Sequence, residues 1–187
     1  MRRLISAAAL AALLVSACGG DGQATTTAAI TTMGASTTTE DPVAYRLTLA
    51  TILAGNWVGE WRNITAGTTG PLAVDVRLDE GARTATVTID LGGAVFGAGD
   101  PDPLAFVVDL SQAPPYTATT DLLGAITFTM TDTGAFSLES ADVPAEGIAT
   151  FWASGEAGSE RVQIEYGVGF DDGSTADGVA TLRRPAS

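Results

Sequence analysis

Beyond Gly55, apolar and polar residues alternate with a period of two, the signature of half-buried β-strands. In "LAVDVRL", Leu72, Val74, Val76 and Leu78 fall on one face, with Asp75 and Arg77 on the other. "ATVTIDL" sets Val87, Ile89 and Leu91 against Thr86, Thr88 and Asp90. "AITFTMTD" sets Ile126, Phe128 and Met130 against a row of threonines, and "TDTGAFSLES" turns at Thr133-Gly134 before Phe136 and Leu138. "RVQIEYGVGF" is the most regular, with Val162, Ile164, Tyr166, Val168 and Phe170 on one side. "GIATFWASG" is apolar on both sides, which predicts a more deeply buried strand. Counted from Trp57, the pattern predicts about eight or nine strands with short turns, as an antiparallel barrel or a β-sandwich of immunoglobulin type. The segments "GGAVFGAGDPDP" and "QAPPYTATTDLLG" break the alternation and read as the two large loops.

Before Gly55 the period changes. In "DPVAYRLTLATILAG", Val43, Leu47, Ala50 and Leu53 fall near helical spacing. Asp41 fits an N-cap, Pro42 a first helical residue, and Gly55 a terminator. Residues 19–41 are rich in Thr, Gly and Ala without sustained period, as expected of a flexible stalk.

Met1-Arg2-Arg3 is followed by an apolar run from Leu4 to Val15 and by small residues at Ser16 and Ala17. A basic start, a short apolar stretch and a small-residue cleavage site predict an export signal over residues 1–17. The chain's one cysteine, Cys18, follows directly. Val15-Ser16-Ala17-Cys18 closely resembles the lipobox of bacterial lipoproteins. The resemblance implies cleavage between Ala17 and Cys18 and a diacylglycerol on the Cys18 thiol. It implies attachment to a bacterial membrane, outside the cytoplasm, with the bilayer as a partner. A lone cysteine in an exported chain has no intramolecular disulfide partner, which agrees with this use. The expected organisation is signal 1–17, lipidated Cys18 and stalk 18–41, and one β domain over 42–187.

Composition narrows the rest. The formal net charge is −13, and every basic residue is arginine. Strong acidity argues against nucleic acid as a partner. With no His or Lys, the usual general bases and nucleophile activators are missing, and Ser-His-Asp or His-based zinc sites cannot form. The expectation is a protein that is not an enzyme, with no cofactor and no metal. Two carboxylates would suffice for a glycosidase, but nothing in the sequence nominates a pair. Asp100 and Asp102, and Asp171, Asp172 and Asp177, offer oxygens to calcium; solvated turns account for them better.

"GNWVGEW" holds two of the three tryptophans. In a strand Trp57, Gly59 and Trp61 share a face, with Gly59 leaving room between the rings. Gly55-x-Trp57 after a short helix is similar to the opening of lipocalin-like barrels. That resemblance implies an all-β antiparallel barrel of eight or nine strands preceded by a short helix. It implies that Trp57 is a floor residue under an arginine of the last strand, Arg183 or its neighbour Arg184. It also implies an interior able to receive an apolar small molecule, with Trp61, Trp152 and Tyr166 as candidate lining residues. Two functions then compete. A binding module requires a cavity lined by Val, Ile, Phe and Trp. A cell-envelope structural or protein-interaction module would have a filled core.

Overall fold

The computed structural model describes residues 41–95 and 98–186. Ala17, Cys18, the export signal and most of the stalk lie outside the described residues. Those described belong to one compact unit, Thr39–Ser187.

Helix α1 spans Pro42–Leu53. The Asp41 carboxylate accepts from the Val43 N–H at 2.9 Å, and Pro42 occupies the first turn, where its missing N–H costs nothing. The strands are β1 Gly55–Asn63, β2 Thr69–Asp79, β3 Thr84–Leu91, β4 Ala94–Val95, β5 Ala98–Gly99 and β6 Leu104–Asp109, then β7 Tyr116–Thr120, β8 Gly124–Met130, β9 Ala135–Ser140, β10 Ile148–Ala157, β11 Arg161–Phe170 and β12 Thr175–Arg183. Ten of them form one sheet in the order β6-β3-β2-β1-β12-β11-β10-β9-β8-β7, and β4 and β5 pair separately. Every ladder is antiparallel, and β12 joins the two halves by pairing with β1, with Val58 opposite Arg183 and Trp61 opposite Ala180. The sheet curls until β6 and β7 approach without a ladder between them, giving a nearly closed lipocalin-like barrel.

The strand count exceeds the eight or nine expected. β6 reads "LAFVVD", apolar at almost every position, so its in-out alternation is invisible in sequence although Leu104, Phe106 and Val108 are buried and Ala105, Val107 and Asp109 exposed. β7, "YTATT", lies in the second segment read as a loop; its small residues gave no alternation to read.

Trp57, Ile126 and Leu182 are the most deeply buried large side chains, each worth roughly 1.5–3 kcal/mol of apolar burial. The buried residues gather in two main groups. One lies around Phe106, Ile126 and Leu138, the other around Trp57, Trp61, Leu72 and Leu182. α1 lies across one end of the barrel. Its Ala50 is buried in the first group, Tyr45 donates its hydroxyl to the Asp132 carbonyl, and Arg46 Nε donates to the Leu110 carbonyl at 2.8 Å. The opposite end is ringed by the β1–β2 turn, the segment between β3 and β6, and the loops β7–β8, β9–β10 and β11–β12. This end is the mouth of the barrel.

Candidate functional site

A ten-stranded barrel is wider than an eight-stranded one, whose interior side chains can just fill it. Here the inward residues are mostly medium-sized aliphatics, and they leave a cavity of about 630 Å³. That volume lies within the range of about 300–1,000 Å³ typical of small-molecule sites. Its waist is apolar, with Val74, Val87, Ile89, Phe128, Leu138 and Ile164 on the wall. Polar side chains sit toward the ends: Arg46 and Tyr116 near the helix, and Asn63, Thr68, Glu146 and Tyr166 on the mouth side. An aromatic cluster backs the seam between β6 and β7. The Phe106 and Tyr116 rings stand 6.1 and 6.2 Å from the Phe128 ring, one from each edge strand.

The closed end is built from the Gly-x-Trp stretch. The Trp57 Nε1–H donates to the Leu53 carbonyl at 2.9 Å, and the ring is 2% exposed. Arg184, not Arg183, covers that ring, its guanidinium carbon 4.0 Å from the centroid. Arg184 also donates to the Ala54 and Ile52 carbonyls, both at 2.6 Å. The last carbonyls of α1 are thereby satisfied by a cation, where the helix dipole is negative. Gly55 makes this possible: its φ is +105°, and a Cβ there would lie 2.8 Å from the Arg184 guanidinium. The assignment of the floor to Arg183 is corrected by strand parity. Leu182 points inward and is 2% exposed, so Arg183 points out, and the chain brings Arg184 back over the floor.

Trp61 lines the cavity, 6% exposed, with its Nε1–H donated to the Gly92 carbonyl at 3.0 Å. Gly70, opposite it in the ladder, accommodates the indole: a Cβ there would lie 2.6 Å from Nε1. Gly59 has a different purpose from spacing the two rings. A Cβ at that position would run into the Thr181 carbonyl of β12, so it permits close strand approach. Tyr166 also lines the cavity, over Gly178 and stacked on Phe151 with ring centroids 6.2 Å apart. Burial pushes its hydroxyl above the ordinary tyrosine value.

Trp152 does not line the cavity. It is 42% exposed and lies on the outer face across Gly167, its ladder partner, where an added Cβ would meet the indole. The reading of "GIATFWASG" as buried on both faces is corrected with it. The register shift between Ile148 and Thr150 fixes which residues face in, and Ile148, Phe151, Ala153 and Ala157 are the ones that line the cavity.

Among the described residues on the cavity wall Glu146 is the only carboxylate, so no acid pair of the kind glycoside hydrolysis uses faces the interior. Among the described residues no three His, Cys, Asp or Glu side chains converge on a common point. Asp172 folds back on its own turn, accepting from the Ser174 N–H at 2.9 Å and Oγ–H at 2.6 Å. What the arrangement offers is enclosure of an apolar body.

No family model matches the chain, and no curated protein is similar to it. Solved structures are similar in fold. Rv2717c from M. tuberculosis aligns with a TM-score of 0.51 and 13% identity, over 75% of this chain and 98% of that one. The S-type phycobiliprotein lyase CPES from Guillardia theta aligns with a TM-score of 0.48 and 10% identity, over 75% and 92%. The likeness to Rv2717c is one of fold alone, while function belongs to the site that each fold carries.

Proposed function

We propose that this chain is a membrane-anchored bacterial lipoprotein, held outside the cytoplasm through an acylated Cys18, that binds an apolar or amphiphilic small molecule inside its barrel without catalysing a reaction on it. The observation that carries the binding reading is the cavity of about 630 Å³ with its apolar waist. The same cavity favours this reading over an envelope structural or protein-interaction module with a filled core. The anchor rests on Val15-Ser16-Ala17-Cys18. Two acyl chains hold a protein at a bilayer where one is marginal, and the Thr-rich segment would set the barrel off from the surface.

Native mass spectrometry of residues 42–187, purified without detergent from a bacterial host and paired with organic extraction, tests the binding. A stoichiometric apolar adduct is expected. A bare mass that stays bare after incubation with a lipid extract would remove the reading. Growth with an alkynyl fatty acid tests the anchor: label is expected on the intact chain and not on Cys18→Ser.

A further inference from the structure

The two ends of the cavity differ in charge. Among the described residues Arg46, Arg77, Arg83, Arg161, Arg183 and Arg184 all lie on the helix side of the barrel, and only Arg62, on the outer face of β1, lies toward the mouth. The mouth loops carry exposed carboxylates: Asp100 and Asp102 before β6, Asp142 and Glu146 before β10, and Asp171 and Asp172 before β12.

This charge adjoins the apolar space. Glu146 is itself on the cavity wall. Gly147 and Phe170 line both the main cavity and a smaller hollow of about 360 Å³, whose other walls are Asp171, Asp172 and Ser174. The apolar interior therefore shares wall residues with an acidic hollow at the mouth. The hydrogen bonds from Ser174 hold Asp172 below the usual carboxylate range, so that carboxylate keeps its charge into mild acid.

Positive charge stands only at the other end of the cavity. Arg46 is the one cation on the cavity wall among the described residues, at the far end, and its guanidinium donates to the Leu110 and Ser111 carbonyls. An anion entering by the mouth would have to pass these carboxylates and cross the apolar waist before it met its one cationic partner at the far end, which is costly. We infer that the barrel selects amphiphilic cations, the apolar body in the cavity and the positive group beside Glu146 and Asp171–Asp172. This inference rests on the binding reading above and names the class of ligand.

The test uses the full-length chain made by cell-free synthesis without membranes, so that Cys18 carries no acyl chain to occupy the cavity. Decyltrimethylammonium, decanol and decanoate share one tail and differ in charge; each is titrated calorimetrically below its micelle concentration. The cation is expected to bind at least ~10-fold more tightly than decanoate at low salt, with decanol between. The preference should collapse at 1 M salt, where screening acts over about 3 Å. The triple variant Glu146→Gln, Asp171→Asn, Asp172→Asn should bring the cation-to-anion ratio toward one, while Glu60→Gln, on the outer face, should keep it. Equal affinities, or decanoate binding best, would overturn the charge selection and leave the cavity reading standing. Binding of none of the three would overturn the cavity reading and this inference with it. The salt dependence of the unaltered chain decides the matter if the triple variant does not fold.

Discussion

The Arg184 guanidinium stacks on the Trp57 ring at 4.0 Å and, from the same position, hydrogen-bonds the carbonyls of Ala54 and Ile52. One side chain thus joins the last strand, the first strand and the end of the helix that covers the barrel. A cation over an indole contributes about 0.5–2 kcal/mol, and a charged hydrogen bond about 1.5–3; partial exposure of Arg184 reduces both. Arg184→Ala is expected to lower stability by about 2 kcal/mol in urea unfolding, and Arg183→Ala by less than about 0.5, as for an ordinary surface position. Equal effects would show that the floor does not depend on this residue.

Gly55 is constrained twice, by its positive φ and by the guanidinium beside it. Gly55→Ala should cost about 1–3 kcal/mol. Combined with Arg184→Ala, the losses should be less than additive, because removal of the guanidinium relieves half of the conflict. Full additivity would mean that the backbone angle alone sets the requirement.

Ala153 lines the cavity from β10 and is half-buried. Its replacement by Trp would place a large ring in empty space, without the overpacking that a filled core would suffer. Ala153→Trp is therefore expected to weaken binding of an apolar probe by at least ~10-fold while the urea midpoint holds. Unchanged binding would place the ligand elsewhere on the protein.

Trp152 is the outward indole, resting on Gly167. Acrylamide should quench its emission most strongly, so Trp152→Phe should remove most of the quenchable fluorescence. Gly167→Val should displace the ring and cost about 1–3 kcal/mol, within the usual range for a disruptive point change. Ligand-dependent changes in emission should survive both and shrink with Trp61→Phe, leaving Trp57 as the other indole on the cavity wall.

The pH limits have separate causes. Side-chain and backbone hydrogen bonds from Ser174 lower Asp172, and those from Ser111 lower Asp109. Each contributes stability that is present above the ordinary value of 3.8 and lost as pH falls through its lower folded value. Burial raises Tyr166 and Tyr116 above 10.0. The folded state therefore holds those protons more tightly, and stability falls as pH rises through 10 toward the folded values. Urea unfolding from pH 2 to 12 should show both flanks. Asp172→Asn should flatten part of the acid one, and Tyr166→Phe part of the alkaline one.

Several features are set by the chain's local order. Alternation in β2, β3, β8 and β11 fixes strands with one inward face, because successive side chains of an extended chain point oppositely. Asp41 and Pro42 fix where the helix begins, through an acceptor for the Val43 N–H and a residue with no N–H to lose. Gly55-x-Trp57 marks the floor, since few residues tolerate a left-handed φ beneath a guanidinium. Tertiary closure decided the rest. β6 and β7 are strands because neighbours pair with them; their own sequences, apolar at almost every position in one and mostly small after Tyr116 in the other, carry no alternation to read. Trp152 faces out because of a register shift at the start of β10, and Arg184 replaces Arg183 because parity at the end of β12 is counted from Leu182. The cavity follows from the number of strands in the ring. Circumference is a property of the closed sheet, and here the ten strands enclose more volume than their inward side chains occupy.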